Sequence, residues 1–307
     1  MPSIGDLFPG ENSPQGRHAG SYDPSTSRGR LFLHIAEAAV LLFLLAWPLI
    51  EPFMLETEAV TLTAEDLPPG IGQLRIVYAS DIHKGGLFAD ARISDLVSHI
   101  NACNADIVLL GGDYAQDSAT AIDFFRSLPR IHARYGVFAV LGNHDRTVPE
   151  SNLTNLRAAM QSAGVTPLIN AVSRVRIGVS DVWIAGIDDP GNGRPDLKGT
   201  AAQLSASDYV IFLSHSPAVI PDALAAADRN GRTGWFDLGL FGHTHGGQIA
   251  LLGPLLKNDG VPDEYTQGWF KRSRTDLLVS RGVGTSGLPI RLFCTPQLHL
   301  ITVNSAR

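Results

Sequence analysis

The chain has 307 residues, 44% hydrophobic and 18% charged, with a formal net charge of −6. That length and apolar content suit one sizeable globular domain with extensions, and the acidic balance excludes the basic footprint of a general nucleic-acid binder. Two cysteines, Cys103 and Cys294, exclude a disulfide framework, and neither has a cysteine partner at metal-ligand spacing.

Residues 1–30 are rich in Gly, Pro and Ser and carry almost no apolar run, which predicts a disordered tail. Residues 31–55 read as a membrane anchor. Their apolar core, Ala38 to Ile50 with Trp47 and Pro48 inside it, falls short of the ~20 residues that span a bilayer. The wider stretch reaches that length by including His34, Glu37 and Glu51. Arg30, His34 and Glu37 share one helical face and can snorkel to one interface, while Trp47 marks the other. Arg17, Arg28 and Arg30 precede the segment, and no Lys or Arg follows until Arg75. The positive-inside rule therefore predicts a domain on the non-cytoplasmic side, with the cytoplasmic face as the alternative. A cleaved export signal and a soluble helical extension compete for the same segment. A polar linker over 56–71, with Pro68-Pro69-Gly70, leads to a domain over 72–307.

Within that domain Leu74–Ser80 reads as a buried strand ending at Asp81. Asp90–Asn101 carries Ile93, Leu96, Val97 and Ile100 at helical spacing. Asp106–Gly111 is the next strand, Ala119–Leu128 the next helix, and Val137–Leu141 a strand that delivers Asn143 and His144. This alternation is the pattern of right-handed βαβ units in a mostly parallel sheet. Ser151–Ala163 reads as a helix stopped by Gly164. Strand-like runs follow at Val182–Ile187, Tyr209–Leu213, Leu238–Phe241, Leu277–Ser280 and Leu298–Val303. The predicted class is α/β, two packed mixed sheets flanked by helices in one domain.

The chemistry-bearing residues sit where these strands end: Asp81-Ile82-His83, Gly112-Asp113, Gly142-Asn143-His144-Asp145, Ser214-His215 and Gly242-His243-Thr244-His245. Ligand sites of α/β sheets form outside the carboxyl ends of strands. Two carboxylates, an amide oxygen and several imidazoles gathered there suit two divalent cations. Alternate residues of an extended segment face the same way, so Asp81 with His83, and His243 with His245, are expected to act as pairs. Asp113, in its glycine turn, is the candidate bridge between ions ~3.5–4 Å apart. Asn143 adds a neutral oxygen and His215 completes the second site. Two divalent cations outweigh both carboxylates and a shared hydroxide, leaving positive charge for an anionic phosphoester. The hydroxide is expected to attack phosphorus in line. His144 is expected to stabilise the developing charge or protonate the leaving oxygen, with Asp145 a candidate to orient it. The mixed ligand set favours Mn, Fe or Zn, with Mg the remaining option.

These blocks resemble the calcineurin-like metallophosphoesterase superfamily over about Leu74 to Val303. The resemblance implies paired β-sheets flanked by helices. It implies a first metal on Asp81, His83, Asp113 and His245, a second on Asp113, Asn143, His215 and His243, and a catalytic His144. Gly186-Ile187-Asp188-Asp189-Pro190, Gly246-Gly247-Gln248 and the run Ser280 to Pro289 are similar to a bacterial, membrane-associated branch. That branch includes lipid-precursor pyrophosphatases, so a UDP-2,3-diacylglucosamine-type precursor is the alternative substrate to a phosphodiester, and a non-catalytic scaffold the remaining reading. Gln116 departs from the acid that pairs with the catalytic histidine in phosphoprotein phosphatases. The expected partners are a phosphoester, lipid- or nucleotide-linked, and the membrane; no protein partner is inferred. Two loops are further candidates. Gly282–Gly287, flanked by Arg281 and Arg291, is read as a phosphate cradle or a structural turn. In the long loop 249–275, Trp269-Phe270-Lys271-Arg272 is read as a membrane-surface element or an exposed hairpin.

Overall fold

In a computed structural model of the chain, residues 27–85, 90–147, 150–250, 253 and 260–306 are described. Most of the predicted tail 1–30 and residues 251–252 and 254–259 of the long loop lie outside the described residues. The chain divides after Ala46 into two units. The apolar segment forms one helix, α1 (Ser27–Ile50), with Pro48 in its last turn. With the single 3₁₀ turn that follows, Ser27–Phe53 is long and apolar enough to cross a membrane, its most apolar 18 residues averaging a hydropathy of 2.0.

The second unit is built on period-two strands buried on both faces. In β2 (Gln73–Ala79), Leu74, Ile76 and Tyr78 point into one apolar cluster, and Val77 and Ala79 into another. The same split recurs in β3 (Ile107–Leu110), β4 (Val137–Ala139), β7 (Ser180–Gly186), β8 (Val210–Leu213), β9 (Leu238–Phe241) and β11 (Thr275–Val279). One cluster therefore lies between two sheets, and each outer cluster is covered by helices. The buried stripes of α2 (Asp90–Ala102), α3 (Ser118–Ser127) and α4 (Glu150–Ser162) close one outer face. The short helices α5 (Leu197–Ala201) and α6 (Ile220–Ala225) close the other. The result is the expected four-layer α/β/β/α arrangement.

Each sheet has six strands. The first runs β1-β12-β2-β3-β4-β5, adding β1 (Glu56–Ala64), β5 (Val165–Pro167) and β12 (Gln297–Ser305). The second runs β10-β11-β9-β8-β7-β6, adding β6 (Ala171–Ile177) and β10 (Gly268–Arg272). From β2 to β5 all pairs are parallel, as are β7, β8, β9 and β11. This parallel core aligns the carboxyl ends of β2, β3, β4, β8 and β9 along one crevice.

One expectation is corrected. The stretch 56–71 is not a linker throughout, because Glu56–Ala64 forms β1, paired in parallel with β12 from Glu56↔Gln297 to Ala64↔Ser305. Its alternation of Glu58, Val60, Leu62 and Ala64 half-buries one face. The 268–279 hairpin does form, but Trp269 packs against the inter-sheet cluster and Phe270 against the outer one. Those rings serve the core, and Lys271 and Arg272 pair with Asp276 and Glu264.

Candidate metal centre

The strands deliver their polar residues through backbone that turns over abruptly. Asp81, His83, Asp113, His243 and His245 all adopt left-handed conformations, with φ of 56°, 48°, 54°, 71° and 50°. Each such non-glycine residue costs of order 1–3 kcal/mol, a concentration of strain found mainly at functional sites. The pairs Asp81/His83 and His243/His245 are thus not neighbours on extended chain, as their spacing predicts. They converge because the chain reverses at each one. Glycines make this possible: a Cβ on Gly112 would lie 2.6 Å from the Gly142 nitrogen, and one on Gly282 2.6 Å from Asp81 Cβ.

The side chains meet in a buried cluster. His83 Nε2 lies 3.1 Å from His245 Nε2 and 3.5 Å from Asp113 Oδ2. His215 Nε2 is 3.2 Å from Asp113 Oδ2 and 4.0 Å from Asp81 Oδ1, and His245 Nε2 is 3.6 Å from Asp81 Oδ1. Donor atoms of Asp81, His83 and His245 fall within 4.8 Å of one another, as do those of Asp113, His215 and His243, and those of His83, Asp113 and His144. Asp113 thus belongs to two of these groups and sits between Asp81/His83/His245 and His215/His243.

Whether these residues suit cations is tested by what they leave unpartnered. Asp81 Oδ2, Asn143 Oδ1 and His215 Nε2 are buried without a hydrogen-bond partner, a costly arrangement unless a cation completes it. His215 Nδ1 donates to Gly111 O at 2.8 Å, which orients the ring and turns Nε2 toward Asp113 Oδ2 at 3.2 Å. Burial pushes His83 and His243 down to about 4 and His245 well below the usual histidine range, so all three are neutral near pH 7. Burial raises Asp81 to about 6. For Asp113 burial acts upward, but the neighbouring His215 outweighs it and holds the carboxyl well below the ordinary carboxylate range. Burial opposes the charge on His215 in turn, yet the Asp113 carboxylate lifts it to about 10. Neutral His83, His243 and His245, the carboxylates and an amide oxygen fit divalent cations, and a cation at His215 Nε2 would take the place of the proton that Asp113 otherwise holds there.

His144 stands at the edge of this cluster, its ring edge-on to His83 at 4.9 Å. Its backbone N–H donates to Asp113 Oδ1 at 2.9 Å, and its Nδ1 faces the Gln116 carbonyl at 2.9 Å. The main chain of Gln116 therefore orients the ring. Asp145 does not orient it. Its carboxylate accepts from the backbone N–H groups of Asp113 (2.7 Å), Gly142 (2.8 Å) and Tyr114 (3.1 Å), tying two ligand loops together. Burial and the Asp113 charge push Asp145 above the ordinary carboxylate range, against the pull of those donors.

The cluster opens into a cleft of about 200 Å³ lined by Asp113, Asn143, His144, His243, Thr244, His245, Gln248, Ser286 and Gly287. Among the described residues no lysine or arginine lines it. The phosphate-cradle reading of 282–287 is largely spent on structure. The N–H groups of Gly282, Val283, Gly284 and Ser286 donate to Ser280 Oγ, Ser80 O, Asp81 O and Gln248 Oε1. Arg291 is fully buried and donates to the carbonyls of Arg281, Gly282, Gly284 and Cys294. Residues given no role in the site from sequence also build the surroundings. Arg146 pairs with Asp188 at 3.0 Å, and Cys294 Sγ donates to the His245 carbonyl at 3.1 Å. The Glu51 carboxylate accepts from the N–H groups of Phe293 and Cys294 at 2.8 and 2.6 Å.

A family model described as calcineurin-like phosphoesterase matches residues 74–247. Similar proteins include the uncharacterized metallophosphoesterase YkuE of Bacillus subtilis, 29% identical over 262 residues, covering 83% of this chain and 88% of the relative. An uncharacterized metallophosphoesterase of Aquifex aeolicus is 27% identical over 270 residues, covering 84% and 95%. A transmembrane protein with metallophosphoesterase domain from Bos taurus is 29% identical over 258 residues, covering 78% of this chain and 55% of that protein.

Proposed function

The chain belongs to the calcineurin-like phosphoesterase family and is a phosphoric ester hydrolase, and from that premise we propose that it cleaves phosphodiesters in preference to monoesters with two divalent cations. Asp81, His83, Asp113 and His245 would hold one cation, and Asp113, Asn143, His215 and His243 the other, with Mn, Fe or Zn best suited to the donors. The observation that carries this reading is the convergence of buried, unpartnered Asp81 Oδ2, Asn143 Oδ1 and His215 Nε2 with the Asp113 carboxylate. When bound, the cations supply an activated water and polarise the phosphoryl oxygens.

The chain's own residues do the rest. His144, with Nδ1 engaged at Gln116 O, presents Nε2 to stabilise the charge developing on the phosphoryl oxygens or to protonate the leaving oxygen. Thr244, Gln248 and Ser286 line the cleft with neutral polar groups. Preference for diesters is supported by that wall. A monoester dianion brings a second negative charge, and no lysine or arginine among the described residues lines the cleft to meet it.

We further read α1 as a membrane anchor, with the domain on the non-cytoplasmic side. Its length and the mean hydropathy of 2.0 over its most apolar 18 residues support the anchor, and Arg17 before it with Arg28 and Arg30 in its first turn support the orientation. Hydrolysis of bis-p-nitrophenyl phosphate and p-nitrophenyl phosphate with added Mn²⁺ tests the catalytic reading. Diester turnover is expected to exceed monoester turnover. Asp113→Ala is expected to lose metal, and His144→Ala to lose rate while keeping metal. Unchanged rates in both variants would sink the proposal. Protease applied to intact cells tests orientation: cleavage of the domain only after lysis would reverse it.

A further inference from the structure

Among the described residues of the unit Trp47–Arg307, exposed large apolar side chains are rare, and they are not scattered. Apart from Val179, those among the described residues are Leu49, Ile50, Phe53, Met54, Leu288 and Phe293, each 42% to 56% exposed. They fall in two short segments far apart in sequence. Hydrogen bonds staple these segments together: Arg291 N–H to Pro48 O at 3.0 Å, and Phe293 and Cys294 N–H to the Glu51 carboxylate. Arg92 joins them, its guanidinium 4.6 Å above the Phe53 ring while it donates to Pro52 O. Glu51 and Arg291 are buried beneath, 1% and 0% exposed, so the segments have little freedom to part. A clustered apolar surface of this kind marks a contact with something apolar.

What covers it is set by the chain itself. Leu49 and Ile50 are the last residues of α1, the helix long and apolar enough to span a bilayer. If that helix is the anchor, its final turn lies at the membrane interface, and whatever is hydrogen-bonded to Pro48 and Glu51 lies within a few bonds of it. We propose that segments 49–54 and 288–293 form a second membrane contact, a docking surface seated in the bilayer interface beside the helix exit. Phe53 and Phe293 supply rings of the kind enriched at that depth, and Arg92 a cation suited to lipid phosphates. Because Ser286 and Gly287 line the metal cleft and Leu288 follows them directly, docking holds the cleft rim next to the headgroup layer. The inference rests on the anchor reading of α1.

The test uses the full chain in liposomes of phosphatidylcholine and phosphatidylglycerol. An environment-sensitive fluorophore is attached at Leu288→Cys, Phe293→Cys, Val179→Cys or Leu41→Cys. The unsubstituted chain serves as the blank for buried Cys103 and Cys294. Emission at 288 and 293 is expected to shift to the blue and to be quenched by lipids spin-labelled near the headgroup. Position 41 should be quenched by lipids labelled deep in the acyl chain. Position 179, 89% exposed on the β6–β7 turn, should stay unquenched. Solvent-like emission at 288 and 293 with quenching at 41 would overturn the docking surface and leave the anchor standing. A blue shift without lipid quenching at 288 and 293 would mean that protein covers the patch, and would overturn it too. Loss of quenching at 41 as well would remove the anchor and the inference together.

Discussion

Asp145 is buried and holds three backbone N–H groups, two on Oδ2 (Asp113 and Gly142) and one on Oδ1 (Tyr114). Replacing it with alanine leaves three donors without an acceptor. An orphaned buried donor costs roughly 1–3 kcal/mol, and the low end for each gives about 3 kcal/mol. A domain of this size loses roughly 2–4 °C of melting midpoint per kcal/mol, so Asp145→Ala should melt about 6–12 °C lower. Asp145→Asn keeps one carbonyl oxygen. It can retain the Asp113 and Gly142 donors but presents an amide to the Tyr114 N–H, a loss of about 1 kcal/mol and about 2–4 °C. Circular dichroism melts of the full chain in detergent read both values, and metal content measured alongside reads the site. Because Asp113 N–H is one of the donors, Asp145→Ala should also bind metal more weakly, while Asp145→Asn should bind nearly as well as wild type. Equal midpoints for all three proteins would refute the view that this carboxylate ties the ligand loops.

Gly142→Ala should abolish metal retention in a protein that still folds, since a Cβ there meets the Asp113 carboxylate and comes within 2.6 Å of its backbone nitrogen; full metal content would contradict the contact. Stripping divalent metal should lower the melting midpoint. A cation at a hundred times its dissociation constant contributes about 2.7 kcal/mol, or about 5–10 °C, and a melt unmoved by chelator would argue against cations bound to the native cluster. Glu58 accepts from Gln297 at 3.1 Å and lies 3.2 Å from His299 Nδ1, and the His299 hydrogen bond lowers its carboxyl below the ordinary value. A depressed carboxylate stabilises the fold above its unfolded pKa and loses that benefit as pH falls through its folded value. Wild type should therefore exceed Glu58→Gln in stability at pH 7, with the gap closing in acid below about 4.3; a gap constant with pH would exclude the carboxylate's charge as its source.

Which parts of the molecule are legible in sequence follows from burial. The eight strands read from apolar runs are the interior strands of the two sheets. The other four are the four sheet edges: β1, β5 and β6 do not read as strands, and β10 reads as one only within the hairpin alternative. An edge strand is covered on fewer sides, so its apolar alternation is diluted by exposed polar residues. In β1, Thr57, Thr61 and Thr63 are exposed and Glu58 shares the half-buried face, which gives the stretch the look of a linker. The site residues are legible because Asp, Asn and His recur after interior strands. Their geometry is not: five left-handed residues replace the extended spacing that pairs them, and φ at a non-glycine residue leaves no mark in composition. Asp145 shows its motif but not its role, since a carboxylate that caps three N–H groups looks in sequence like one that orients a histidine. Glu51, inside an apolar segment, looks like a tolerated impurity and is a staple for residues 293 and 294.

The place of β12 has a consequence for synthesis. Residues 297–305 lie between β1 and β2, not at an edge. As the chain emerges, β1 and β2 are made early yet cannot join, because the strand that bridges them comes more than two hundred residues later. At ribosomal rates that interval lasts on the order of ten seconds or more. Through it, β1 waits unpaired and β2 stands as an open edge of the four strands β2 to β5. A nascent chain in this state is a natural client for a holding chaperone, and trimming the last dozen residues would split the sheet where other folds lose only a fringe.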